Sequence, residues 1–234
     1  MLLKAYIIII FTITLFGCNQ EKTPTSDKTL YESLNQLSDS LDRNHIATDE
    51  NFWLSKYHEK KYQNSNISLA FIEYHIGRAY LLKNNLKKTE EYIQLAFDRI
   101  DKTQGNEELK FRIYDTFGYF LYDAKNKLYL SIYYCNKAAY LIQKGNISSH
   151  VKFQIKALLN AAEINYKAKQ TKKALEQNNY ALFLLKKSKS ISHWDYVRVY
   201  SQLFYSYAST ENTDIHVLEE YLLNIESIIK SKDH

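Results

Sequence analysis

The side chains able to do chemistry are scattered and poorly placed for catalysis. His45, His58, His75, His150, His193, His216 and His234 are spread through 234 residues. None sits in an HExxH helix or beside cysteines that would complete a zinc site. Phosphate-binding glycine loops, dinucleotide fingerprints and the GxSxG nucleophile turn do not occur. Glu107 with Glu108, and Glu219 with Glu220, are adjacent pairs, and neighbouring helical residues do not face one cleft. The chain therefore reads as a non-enzyme, with no cofactor and no metal expected.

The two cysteines differ in context. Cys135 lies in "LYLSIYYCNKAAYL", an apolar helical pattern in which a small thiol is expected to be buried. Cys18 closes a short apolar block inside "KAYIIIIFTITLFGCNQEK", residues 4–22. Crossing a bilayer takes roughly 20 apolar residues, and a basic start followed by a shorter block has the form of an export signal. Leu15, Phe16 and Gly17 before Cys18 resemble the lipobox of bacterial lipoproteins. That resemblance implies that residues 1–17 are a removable signal peptide and that Cys18 is lipidated. It also implies an anchor in the bacterial cell envelope, where Asn19 somewhat favours the outer membrane over the inner. An ordinary cleaved secretory signal, or an uncleaved anchor, is the alternative. With Cys18 carrying lipid, Cys135 has no disulfide partner, so packing must hold the fold together.

Net charge is a weak guide to partners. The formal value is +5, and the lysines are dispersed among 26 acids. A nucleic-acid binder would gather its cations into a stripe along a phosphate backbone, so no nucleic acid is expected. The one local excess runs from Lys167 to Lys189 through Lys169, Lys172, Lys173, Lys186 and Lys187. It reads as a solvated helix face, or else as a docking patch for an acidic partner or anionic headgroups.

Along the chain, residues 18–29 are polar, contain the sole proline, Pro24, and read as a lipidated N-terminus and tether. One helical domain is expected over 30–232. Leu30, Leu34, Leu37 and Leu41 share a helix face. A second helix, with Thr48 as its N-cap, carries Phe52, Trp53, Leu54 and Tyr57. Then come "HIGRAYLLKNNLKKTEEYIQLAFDRI", "TFGYFLYDAKNKLYLSIYYCNKAAYLI" and "NAAEINYKAKQTKKALEQNNYALFLL". Each is a helix with a small central residue (Gly77, Gly118, Ala162), a polar turn ("KNN", "KNK", "KQT") and a second helix. A weaker fourth copy is "QLFYSYASTENTDIHVLEEYLLNI".

These units resemble tetratricopeptide repeats. The small central residue lets the paired helix approach, and Gly77 with Tyr80 follows the family pattern closely, whereas Gly118 is followed by Leu121 and Ala162 by Asn165. Ala96, Ala138 and Ala181 match small positions that nest against the next unit, and Ala174 one that faces its own first helix. Thr89 stands where alanine is common, and the Gly118 unit has one extra turn residue. Successive centres lie 41 and 44 residues apart, against about 34 in the common repeat. Links such as "DKTQGNEE" and "IQKGNISSH" supply the extra length, each with a glycine near a helix end. The resemblance implies an all-α solenoid of antiparallel helix pairs repeating about every 40 residues. Stacking also explains the 21 tyrosines, 11 phenylalanines and 2 tryptophans, which a lone hairpin could not cover.

In that family the first helices line a concave groove that binds peptides or proteins. By register, the groove residues here are Tyr74, Arg78 and Leu81, then Arg112, Asp115, Tyr119 and Tyr122, then Lys156, Leu159, Glu163 and Tyr166. The lysine and asparagine set with which some members clamp a chaperone's terminal carboxylate is not matched at these positions. The expected function is a membrane-anchored envelope scaffold for a protein or peptide. The alternative is a sensory or regulatory module acting through a membrane signalling partner. Some large outer-membrane glycan-binding lipoproteins contain such repeats, but this chain is much shorter.

Overall fold

The computed structural model describes residues 24–43, 49–145, 147, 151–188, 192–211 and 213–230. The signal peptide, Cys18, Asn19 and the expected Thr48 cap lie outside the described residues. Ten α-helices and one short 3₁₀ turn make up the described chain. They are α1 (Pro24–Arg43), α2 (Glu50–Tyr57), the 3₁₀ turn Lys60–Tyr62, α3 (Asn66–Leu82) and α4 (Leu86–Asp101). After these come α5 (Glu107–Asp123), α6 (Leu128–Gln143), α7 (Val151–Lys167), α8 (Thr171–Lys187), α9 (His193–Ala208) and α10 (Ile215–Lys230). Helices α3 to α10 form four antiparallel pairs stacked into an all-α solenoid, each second helix also meeting the first helix of the next pair.

Helix α1 starts at Pro24, inside the segment expected to be a tether; proline fits the first helical position, where its missing N–H costs nothing. Leu34 is fully buried, with Leu30 and Leu41 packed beside it. Helix α2 is capped by Asp49, whose carboxylate accepts from Asn51 N–H at 3.0 Å. It delivers Trp53 to the core, where the indole stacks on His75 with ring centroids 4.4 Å apart. His75 is enclosed by Phe71 and lies within 3.3 Å of Ser38 Oγ, so this histidine is a packing residue.

The three regular turns share a conformation. Asn84, Asn126 and Lys169 are all left-handed, at φ 56°, 53° and 60°. Asn85 N–H donates to Tyr80 O at 2.9 Å and Gln170 N–H to Asn165 O at 2.8 Å, the closure that satisfies orphan carbonyls at a helix end. In the middle unit Lys127 N–H instead reaches Leu121 O, one residue further back, at 2.8 Å. The extra turn residue is absorbed there. Gly145 ends α6 in the same left-handed region, at φ 76°.

Small residues set the helix separation. A β-carbon on Gly77 would come within 2.6 Å of Ile93 Cδ1. Ala96, Ala138, Ala174 and Ala181 are fully buried. Between the two ends of the solenoid, Phe97, Phe117 and Tyr134 form a ring cluster with centroids 5.0 to 6.0 Å apart. Tyr114 joins it; burial, then the hydrogen bond that its hydroxyl donates to Asp101 Oδ1 at 2.8 Å, push its pKa up. Asn165, where the repeat pattern has an aromatic, makes a different junction. Its amide bonds Asn136 of α6 and Gln177 of α8, each at 2.8 Å, and Gln177 Nε2 returns to Asn136 Oδ1 at 2.7 Å. Three helices are thereby fixed by amides that satisfy one another.

Candidate functional site

The first helices α3, α5 and α7 each carry a stripe repeating at three and four residues, so its members share a face. Five of the expected groove residues converge. Tyr74 and Arg78 from α3, Arg112 and Asp115 from α5 and Lys156 from α7 border one cleft of about 120 Å³, with Phe111, Thr116 and Phe153 completing it. Arg78 lies 5.7 Å from the Tyr74 ring centroid, and Arg112 lies 6.0 Å from that of Phe153. Arg112 Nε also donates to Glu108 at 2.9 Å.

Asp115 is the electrostatic centre of this cleft. Burial raises its carboxyl above the usual range, while the hydrogen bond from Asn160 and then the charges of Lys156, Arg198 and Arg78 pull it back. Asn160 Nδ2 donates to Asp115 Oδ1 at 3.0 Å, and Arg198 reaches Asn160 Oδ1 at 3.5 Å. One side chain from each of α5, α7 and α9 thus joins a polar line across three units. An extended chain crossing there meets cations and rings on fixed backbones.

A second cleft, of about 400 Å³, brings Glu163 and Tyr166 of α7 to Lys167 and to Gln202, Tyr205 and Ser206 of α9. Tyr119 and Tyr122 lie edge to face, 6.1 Å between centroids. Burial, then the charges of Glu163 and Asp123, raise the pKa of both phenols. Leu81 is half-buried against the N-terminal core. Leu159 is a correction: at 2% exposure it belongs to the core and offers nothing to a ligand. Its neighbour Asn160 bonds into the groove instead.

Asn160, Arg198, Phe111, Thr116 and Phe153 were not anticipated. For Asn160 the signal was a one-residue shift of register, and for Arg198 the groove had to be extended to α9. The lysine-rich segment also divides. Lys167, Lys169, Lys172 and Lys173 border a broad cleft at the α7–α8 turn, whereas Lys186 and Lys187 lie at the far end of α8. Lys173 and Lys186 both lie on this helix, Thr171–Lys187, and its rise separates the two groups by about 20 Å. Cys135 is buried in the core, as expected, and burial pushes its thiol well above the ordinary range. Among the described residues no cluster of three or more His, Cys, Asp or Glu is placed to hold a metal, and no helix is long and apolar enough to cross a membrane.

No protein-family model and no curated protein sequence matches the chain. Solved structures do. BtubC (BKLC) from P. vanneervenii superposes with a TM-score of 0.68 at 15% identity, covering 90% of this chain and 84% of that one. A Podosopora anserina putative kinesin light chain with nearly identical TPR-like repeats superposes at 0.62 and 13% identity, covering 90% and 98%. A form of that protein carrying a substitution gives 0.63 and 14%, covering 88% and 96%. The fold is a TPR-like solenoid. At these identities the likeness concerns architecture, and the groove has to be read from this chain's own side chains.

Proposed function

We propose that this solenoid is a scaffold whose concave groove holds an extended peptide or protein segment, presented at a bacterial envelope membrane by lipid on Cys18. The carrying observation is the convergence of Tyr74, Arg78, Arg112, Asp115 and Lys156, from three successive first helices, on one cleft. Aromatic faces supply contact area and fixed charges supply orientation, the division of labour in peptide-binding surfaces. The lipobox-like "LFGC" supports the anchor. A pull-down from membranes tests the groove: a Lys156→Glu, Phe153→Ala variant that melts like the wild type should lose the wild-type protein's partner. Equal recovery of that partner would remove the groove from the account.

A further inference from the structure

Second helices of the solenoid repeat a buried triplet. In α4 it is Ile93, Ala96 and Ile100; in α6, 42 residues on, Cys135, Ala138 and Ile142; in α8, 43 residues further, Asn178, Ala181 and Leu185. All are buried where each second helix meets its own first helix and the next unit. Asn178 Nδ2 reaches across to Ser206 Oγ of α9 at 3.1 Å. A step of 43 residues more arrives at Tyr221, Asn224 and Ile228 of α10, its half-buried face, and the residues beside them, Leu222 and Ile229, look outward. Here Leu222 is 49% and Ile229 47% exposed, and Ile215, one heptad before Leu222, extends the apolar edge. Tyr221, Ile225 and Ile228 of α10 pack against the core, whereas Ile215, Leu222 and Ile229 form an outward apolar edge that is left exposed at the end of the described stack.

The flanking charge narrows the occupant. Residues 211–230 hold Glu211, Asp214, Glu219, Glu220 and Glu226 against the single Lys230, in a chain whose overall balance is positive. Glu219 and Glu226 lie one heptad apart, next to the Ile215, Leu222 and Ile229 edge. Their present partners, His216 at 3.3 Å and Lys230 at 2.6 Å, are exposed neighbours on the same helix and cheap to displace. A second copy packed antiparallel about Leu222 would set the acidic edge of one α10 against that of the other. Like charges flanking an apolar seam select against self-pairing and for a partner of opposite sign.

We propose that the exposed face of α10 docks a basic amphipathic helix of a partner protein. The site is separate from the concave groove and does not depend on it. The test measures binding of the full-length chain to a synthetic helical peptide with leucines on one face and flanking lysines, beside its glutamate-flanked counterpart. The lysine peptide should bind preferentially. Leu222→Glu with Ile229→Glu should weaken it by about a hundredfold, the loss of two buried aliphatic contacts. Glu219→Lys with Glu226→Lys, which alters only exposed carboxylates and leaves packing intact, should shift preference toward the glutamate peptide by about tenfold. Unchanged preference in this charge-swapped protein overturns the proposal. So does sedimentation showing a dimer at neutral pH that Leu222→Glu with Ile229→Glu dissociates, because the occupant is then a second copy.

Discussion

A β-carbon placed on Gly118 would stand 2.5 Å from Cys135 Sγ and 2.9 Å from the Cys135 backbone nitrogen, so α5 and α6 meet with no room for a methyl group. At Gly77 the nearest atoms belong to the flexible end of Ile93, and the backbone nitrogen is further off at 3.2 Å. Overpacking typically costs about 1–3 kcal/mol. Gly118→Ala is therefore expected at the upper end of that range and Gly77→Ala at the lower, read as midpoints of denaturant unfolding. Equal losses would mean that the two contacts are equally soft.

Lys169 occupies a left-handed position that its counterparts Asn84 and Asn126 tolerate better. Replacing it with glycine relieves the Cβ strain while leaving the Gln170 to Asn165 hydrogen bond in place. Lys169→Gly should stabilise the chain by about 1 kcal/mol. Thermal melting checks this, and a destabilised variant would show that the lysine makes a compensating contact.

His75 ties stability to pH. Burial, then the charges of Arg78 and Arg112, hold its pKa well below the ordinary 6.5. As pH falls through 6.5 the unfolded chain takes up a proton that the folded chain refuses, so stability declines until the folded-state pKa is reached. Glu73 and Asp115 are raised by burial and act in the opposite direction, but they are common to wild type and variant. His75→Gln should flatten the stability profile between about pH 6.5 and 5, whatever its effect at pH 7. Parallel profiles would mean that His75 titrates normally when folded.

The proposed lipid anchor turns on one atom, the Cys18 sulfur. Metabolic labelling with a fatty acid should mark the wild-type chain and not Cys18→Ser, and fractionation should move the variant out of the membrane pellet. A label of equal strength in both proteins would place the lipid elsewhere or replace it with an uncleaved anchor.

Much of the fold was legible because close packing leaves a mark in residue type. Gly77 and Gly118 announced helix pairs, since a β-carbon there would meet the paired helix within 2.6 Å, and the buried Ala96, Ala138 and Ala181 their stacking. Asn165 was legible only as a departure from the pattern. Its reason depends on Asn136 and Gln177, which lie on other helices and come together only after folding. Five of the expected groove residues border one cleft, whereas Leu159 turns inward and its neighbour Asn160 bonds into the cleft, a difference of about 100° around a helix. Arg198 escaped because the fourth unit's register is weak, and the helical backbone at Pro24 because local polarity resembled a tether.

The central claim is that the face lined by the first helices, not that of the second helices, holds the partner. Phe153, 52% exposed at the cleft, and Tyr129, 87% exposed on the second helix α6, give a matched pair of positions for a photo-crosslinking residue in living cells. Crosslinking from position 153 should yield one discrete adduct that Arg78→Glu, a change within the same cleft, abolishes, while position 129 yields none. The same adduct from both positions, or one from 153 indifferent to Arg78→Glu, would contradict the account.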